Sequence, residues 1–480
     1  MNVLLPGATG YIGRRLKMRL MEEKGLRIRI LLRDIRRIDT AVMDSVEVFE
    51  GDFFDPEVLR RAVRGMDVVY YPIRFFGTLL EVTDQDRRYA ETFRQVCIEE
   101  GVSKIIYVSF PRAGRVRHEI LQNVITAGET LRGLPEKIQC VWLRTGALIG
   151  AGSVIFEMLK GIAERVPVIF VPRWMKRELC VIGVDDLLGY LVSAITLPPG
   201  ENPVIDVCEQ KTTFYQMLRE TVRLSGLRRV FVPLPFSAYG ISAFFMMLIT
   251  PFSYPLSLTL VRTFHSGELV PEKTPPFDPG RYFPGISACS FGRALELAMA
   301  ETNSKEVTSR WTDSMDSITF SAPEEDIAKA VYQDMRRLSF GNLPPGKIFR
   351  AITSIGGESG WFTFDILWRM RGMMDKFMGG YGTSLGRRAG AGLRVGDMLD
   401  VWKVVDLQED RMLLLEAQMK VAGKAWLEFK IDGNALVQTA YYIPRGIVGK
   451  LYWYAVSPFH FLVFNDLIRN IVRKAGEIRD

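Results

Sequence analysis

Cysteine and histidine are scarce in this 480-residue chain, at five and three copies. Cys97, Cys140, Cys180, Cys208 and Cys289 lie far apart in sequence and form no CxxC pair, which argues against a zinc site or a redox-active dithiol. His118, His265 and His460 are too few and too scattered for a histidine-rich metal centre. The expectation is therefore reduced thiols in a cytoplasmic setting. A basic stretch followed by an apolar one is also missing at the start, where Val3-Leu4-Leu5 enters a strand at once, so no secretory leader is expected.

Uncharged runs of membrane-spanning length are absent save one. Val230 to Val261 carries no charged side chain, but Pro233, Pro235, Pro251 and Pro255 interrupt it. The reading is a buried or dimer-forming segment, with peripheral membrane contact through 236–261, or a true span, as alternatives. The formal charge of +7 is spread along the chain, and neither a zinc finger nor an aromatic stacking platform accompanies the arginines, so nucleic acid is not an expected partner. Oligomeric state is left open.

What is present is the composition of folded domains, 48% apolar and 24% charged, at a length that calls for two or three of them. Buried-looking strands alternate with helices: strands at 2–6, 27–32, 46–49, 67–71, 104–108, 139–143, 168–171 and 203–207, helices at 12–24, 56–64, 83–100, 153–162 and 185–195. This predicts an α/β, doubly wound Rossmann sheet of parallel strands. Residues 210–300 read as helices and loops capping its cleft, and the polar run Glu301–Lys305 as a junction. Beyond it, helices at 325–338 and 362–377 precede strands at 398–406, 411–420, 424–432 and 434–443, then a helix at 457–474. That order predicts an α+β second domain over 306–480 after a first domain over 1–305.

The strongest motif is Gly7-Ala8-Thr9-Gly10-Tyr11-Ile12-Gly13, lying between the first strand and the first helix. Glycines at this spacing allow a tight turn, close approach to a pyrophosphate and helix packing, while the helix N-terminus offers amide donors. Thr9, Tyr11 and Ile12 join the glycines as cofactor-binding candidates. At the end of the second strand stands Arg33, suited to the 2′-phosphate of NADP, with Asp34 beside it, which at the rim would favour NAD instead. NADP is the expected cofactor and NAD the alternative. Asp52 is placed to accept from an adenine amino group or to cap the following helix. Tyr71 and Pro72 should pass beneath the cofactor, and Ser109 should end the fifth strand facing the nicotinamide.

These residues, with the runs Gly101–Ser109 and Leu143–Gly150, resemble the atypical, extended branch of the short-chain dehydrogenase/reductase superfamily that includes NmrA-like proteins. The resemblance is nearly continuous from 1 to about 235. It implies an NAD(P)-binding fold and, for active members, a tyrosine followed four residues later by lysine. No tyrosine in this chain has that partner, and 117–132, where the helix bearing it should fall, contains no tyrosine. Two readings stay open: an atypical oxidoreductase using Ser109 or His118 on a hydrophobic carbonyl, enoyl or quinone-like substrate, or a non-catalytic NADP(H) sensor or scaffold.

The second half resembles a domain of unknown function akin to the START/polyketide-cyclase helix-grip fold, through Gly360-Trp361, Leu367–Gly372, Asp400-Val401-Trp402, Glu416–Lys420 and Pro444-Arg445-Gly446. The resemblance implies a cavity for a small hydrophobic molecule, with Trp361, Trp368, Arg371, Trp402, Glu416 and Arg445 as candidate lining. Core packing of the tryptophans, and an internal salt bridge of Arg371 or Arg445 with Asp375 or Glu416, are the alternatives.

Overall fold

The computed structural model describes residues 1–38, 40–72, 85–110, 119–266, 269–270, 279–304, 307–314, 327–357, 360–362, 371–373, 375–376, 382, 387, 392–419 and 422–478. The chain separates into two compact units. The first comprises Met1–Thr250 and Leu256–Met315, and the second Asp316–Asp480 with Pro251–Pro255.

The first unit runs β1 (Asn2–Pro6), α1 (Tyr11–Glu22), β2 (Arg27–Leu32), α2 (Thr40–Met43), β3 (Glu47–Glu50), α3 (Pro56–Val63), β4 (Val68–Tyr70), α4 (Gln85–Glu99), β5 (Lys104–Ser109), α5 (Glu119–Leu131) and β6 (Gln139–Thr145). It continues with β7 (Ala147–Ile149), α6 (Val154–Arg165), β8 (Val168–Val171), β9 (Glu178–Gly183), α7 (Val184–Ser193), β10 (Val204–Val207), β11 (Gln210–Thr213), α8 (Phe214–Leu224) and β12 (Val230–Pro233). Helices α9 (Tyr239–Ile249), α10 (Tyr254–Ser266), α11 (Pro279–Tyr282) and α12 (Phe291–Asn303) follow. Seven strands form one sheet in the order β10-β6-β5-β4-β1-β2-β3, every pair parallel. β5 and β6 are buried along their whole length, as a parallel strand covered on both faces must be. One face of the sheet packs Val3, Ile30, Val108, Val141 and Ile205 against Leu16 and Leu20 of α1 and Leu187 and Leu191 of α7.

Two small sheets, β11-β9-β7 and β12-β8, are not expected from the sequence, and β8 lies in the second of them rather than in the main sheet. The strands of the β12-β8 pair are short and half exposed, so they lack the buried apolar run that marks the central strands. The cysteine reading also needs correction: Cys180 on β9 and Cys208 just before β11 are joined in a disulfide, their Cα atoms 5.7 Å apart. β9 and β11 pair antiparallel with Cys180 opposite Lys211, and this pairing unites residues that sequence spacing keeps apart.

The second unit contains β13 (Tyr332–Ser339), α13 (Pro345–Thr353), β14 (Met398–Leu399), β15 (Trp402–Gln408), β16 (Met412–Ala417), β17 (Gly423–Asp432), β18 (Ala435–Pro444) and α14 (Gly446–Glu477). Its six strands form an antiparallel sheet in the order β13-β18-β17-β16-β15-β14. The helix expected over 325–338 is in large part the edge strand β13. Its side chains alternate between half-buried and exposed, Tyr332, Asp334, Arg336 and Leu338 facing in, and period two overrides helical propensity. Ile348 and Ile352 of α13 and Phe464, Leu467 and Ile471 of α14 cover Leu413, Leu427, Phe429 and Leu436 on one face of the sheet. Residues 306–314 depart from the expected boundary by belonging to the first unit: the Ser309 hydroxyl donates to the Tyr11 carbonyl at 2.8 Å and accepts from Arg15 Nε at 3.0 Å.

Candidate nucleotide site

The carboxyl ends of β1 and β2 carry the glycine turn and Arg33. Gly7 has φ of +70°, a conformation L side chains disfavour, and the Gly10 amide donates to its carbonyl at 3.0 Å. A Cβ on Gly13 would lie 2.0 Å from that same oxygen, so the helix reaches the turn only through glycine. No side chain caps α1 at Gly10, and the helix N-terminus turns the positive end of its dipole to the glycine turn. Thr9 is half-buried, and its carbonyl accepts from Arg14 Nε at 2.8 Å. Ile12 is core, and the Tyr11 hydroxyl donates to the Ala151 carbonyl at 3.1 Å, which places both side chains behind the turn. Burial pushes the Tyr11 phenol well above its ordinary range.

Around this turn the charges favour an anion. Arg33 is half-buried and makes no hydrogen bond or ion pair with the described residues. Asp34 is buried and caps the turn at Ile35–Arg37, accepting from the Arg36 amide at 3.0 Å and from Arg36 Nε and Nη2 at 2.9 Å each. Arg37 lies behind, its guanidinium pushed down to about 10 by burial and by Arg14 and Arg33, against the pull of Asp313 and Asp34. Asp52 is exposed; its Oδ1 accepts from the Phe54 amide at 3.0 Å, and the cap of α3 is Asp55 instead.

Several expected participants are placed differently. The Tyr71 ring is buried among Phe53, Phe93 and Tyr107, leaving Pro72 and the backbone at the end of β4. Ser109 is fully buried; its hydroxyl donates to the Phe110 carbonyl at 3.0 Å and accepts from Trp142 Nε1 at 2.8 Å, a packing role that does not present it to a substrate. His118 lies outside the described residues. Two groups at the carboxyl ends of the strands went unseen in the sequence. Arg144 on β6 and Asp206 on β10 form a buried bidentate pair at 2.7 and 2.8 Å. The Thr145 hydroxyl is fully buried with no partner among the described residues. The signal for the pair is one charge of each sign near the carboxyl ends of two fully buried strands.

In the second unit the expected cavity residues do not converge. Trp361 and Trp402 are core, 6.2 Å apart, the former donating to Asp400 Oδ2 at 2.9 Å. Glu416 is on the opposite face of the sheet, across from Lys403, because alternation puts Leu413 and Leu415 inward. Arg445 is exposed at the start of α14, and Trp368 lies outside the described residues. Arg371 stands 5.9 Å from the Tyr452 ring, and its two Nη atoms are buried without a partner among the described residues, so the salt bridge is not formed there.

Residues 7–132 match the family described as NAD(P)H-binding, over the glycine turn, Arg33 and the strands β2 to β5. Over these residues the first unit carries an NAD(P)H-binding domain. Residues 327–467 match a second family, described as protein of unknown function (DUF2867). Among solved structures, a triphenylmethane reductase from Citrobacter sp. is similar at 18% identity and a TM-score of 0.51, over 62% of this chain and 100% of that one. The same enzyme complexed with NADP(H) gives 18% and 0.50 over the same shares. An NADPH-dependent quinone oxidoreductase from Escherichia coli gives 16% and 0.49, over 62% and 99%. At such identities the likeness to the reductase is one of fold, and the NAD(P)H-binding domain here has the Rossmann-like sheet that fold requires.

Proposed function

We propose that the chain is an NADPH-dependent reductase of hydrophobic, quinone-like or enoyl acceptors. The observation that carries the cofactor preference is the pairing at the end of β2: Asp34 is held by Arg36, while Arg33 keeps its guanidinium for the 2′-phosphate. Bound NADPH supplies a hydride at its nicotinamide. The chain's own residues suit an acceptor that needs no tyrosine acid. α5 contains no tyrosine, Ser109 is occupied in the core, and Lys104 donates to the carbonyls of Ala194, Ile195 and Leu197. A conjugated acceptor spreads the incoming charge over its own oxygens and takes its proton from water, so hydride and proton together yield the reduced acceptor. The fold shared with a reductase crystallised with NADP(H) supports this reading.

The same occupied Ser109 and tyrosine-free α5 favour a second reading, a non-catalytic NADPH sensor. In both, the second unit is a START-like helix-grip module for a small hydrophobic molecule, a role supported by α14 over the inner sheet face and by fully buried Gln438 between Leu436 and Ala440, whose amide atoms lack partners among the described residues.

Titration calorimetry tests the cofactor assignment. NADPH should bind more tightly than NADH, and Arg33→Ala should weaken NADPH by about 10–100-fold and NADH little. Equal affinities for the two cofactors in the unsubstituted chain would overturn it. Loss of NADPH absorbance with menadione present separates enzyme from sensor; no consumption across quinones and enones leaves the sensor.

A further inference from the structure

The uncharged run that the cofactor site does not use becomes, in the fold, an apolar surface. Ile241, Phe244, Phe245 and Leu248 follow the i, i+3, i+4, i+7 spacing along one side of α9, at 61%, 37%, 57% and 38% exposure, while Ala243, Met246 and Met247 are buried on the other. Phe236, 51% exposed, precedes the helix. The β12-β8 ribbon extends the patch: Val230 pairs with Val168, and Phe170 follows on the same side, all exposed. Two backbone bonds hold the segment leading into α9 against the end of the ribbon, from the Leu234 amide to the Val171 carbonyl at 2.9 Å and from the Arg173 amide to the Phe236 carbonyl at 3.1 Å. Scattered apolar side chains are normal on a surface, but a contiguous set of large ones marks an interaction site.

The frame around the patch is cationic. At the end of α9, Arg165 donates to the Ile249 carbonyl; at its start, Arg173 is exposed beside Phe236. Lys176 and Arg177 continue the exposed basic rim, and Arg228 does so ahead of β12. Glu164 and Glu178 are the acidic residues exposed in the same segments, so the rim is positive on balance. A second copy brought face to face would set these cations against their own images. An anionic lipid surface complements both parts at once.

We infer that the α9 face with the β12-β8 ribbon docks the protein on an anionic bilayer surface, the aromatic side chains entering the interface and the arginines and lysine meeting lipid phosphates. Insertion stops at the interface. α9 has 11 residues, and among the described residues no helix is long and apolar enough to cross a membrane. This inference goes beyond the reductase reading and stands without it.

Flotation of the full chain on vesicles tests it, with phosphatidylcholine and phosphatidylglycerol in equal parts against phosphatidylcholine alone. The chain should float with the mixed vesicles at low salt, and each basic residue removed should cost about fivefold in partitioning. Phe245→Asp should lower the bound fraction at least tenfold, and Arg173→Glu with Lys176→Glu should abolish the preference for anionic lipid. Unchanged thermal unfolding and NADPH binding in the variants show that the fold survives. Equal flotation on both vesicles, no flotation on either, or sedimentation as a dimer that Phe245→Asp dissociates would each overturn the inference, the last by assigning the face to a second copy.

Discussion

In the nucleotide-binding unit the charges withdrawn from water meet partners: Arg144 with Asp206, Arg15 with Glu301 at 2.7 Å, Lys104 with three carbonyls. In the second unit Gln438, His460 Nδ1 and Trp402 Nε1 are buried with no partner among the described residues. A buried ion pair that is hydrogen-bonded on both sides fixes a strand in register, whereas a buried amide left unpaired costs stability. The first unit therefore reads as a frame whose buried charges hold one another, with the Thr145 hydroxyl as an unpartnered group of its own among the described residues. The second unit leaves neutral polar groups unpartnered in or beside its apolar core.

The sharpest way to break this contrast is through the frame. Arg144→Ala leaves Asp206 buried without its cation, and urea unfolding should show a loss of roughly 3–5 kcal/mol. A loss under about 1 kcal/mol would mean that the pair is a surface-like contact and that the first unit is not held this way.

Acid separates the units next. Burial, helped by Arg336 and opposed by Asp334, pushes His460 down to about 4 from its ordinary 6.5. Its neutral form therefore supports the fold fully above pH 6.5, and that support is lost as pH falls through about 4. Calorimetry of the full chain should show the transition of the second unit falling between these values, by up to roughly 3 kcal/mol, and His460→Phe should flatten the profile. An unaltered profile in that variant would remove His460 from the account.

The smallest effect has the opposite sign. Gln438→Met keeps the volume and removes both unpaired polar atoms, so the apo chain should gain about 1–2 kcal/mol. A loss instead would make the amide a structural group, and the comparison between the units would fail on that side.

Much of the first unit was legible because its signals are local. β2 over Arg27–Leu32 and α3 from Pro56 fall where alternation and a proline start place them, and Gly7 and Gly13 are needed within a single turn. The packing of Ser109 is not legible in the sequence because its neighbour Trp142 comes from another strand, and no spacing in sequence reports that hydrogen bond. In the second unit the helix expected over 325–338 failed for a related reason: β13 is an edge strand, and its eight-residue pairing with β18 outweighs the helical preference of its side chains. Motifs name residue types for a cavity, while strand alternation decides which face each occupies, and it sends Glu416 outward and Gln438 inward.

The sequence by itself determined the parallel sheet, the glycine turn and Arg33 at its rim, since a strand-turn-helix motif carries its chemistry within some thirty residues. Only tertiary structure decided that Asp34 is held by Arg36, that Ser109 is packed away, that Cys180 meets Cys208, and that the charge-free run turns one side of α9 to solvent. Each of those outcomes depends on residues distant in sequence or on which face of an element is covered, and burial is settled by what packs against a segment.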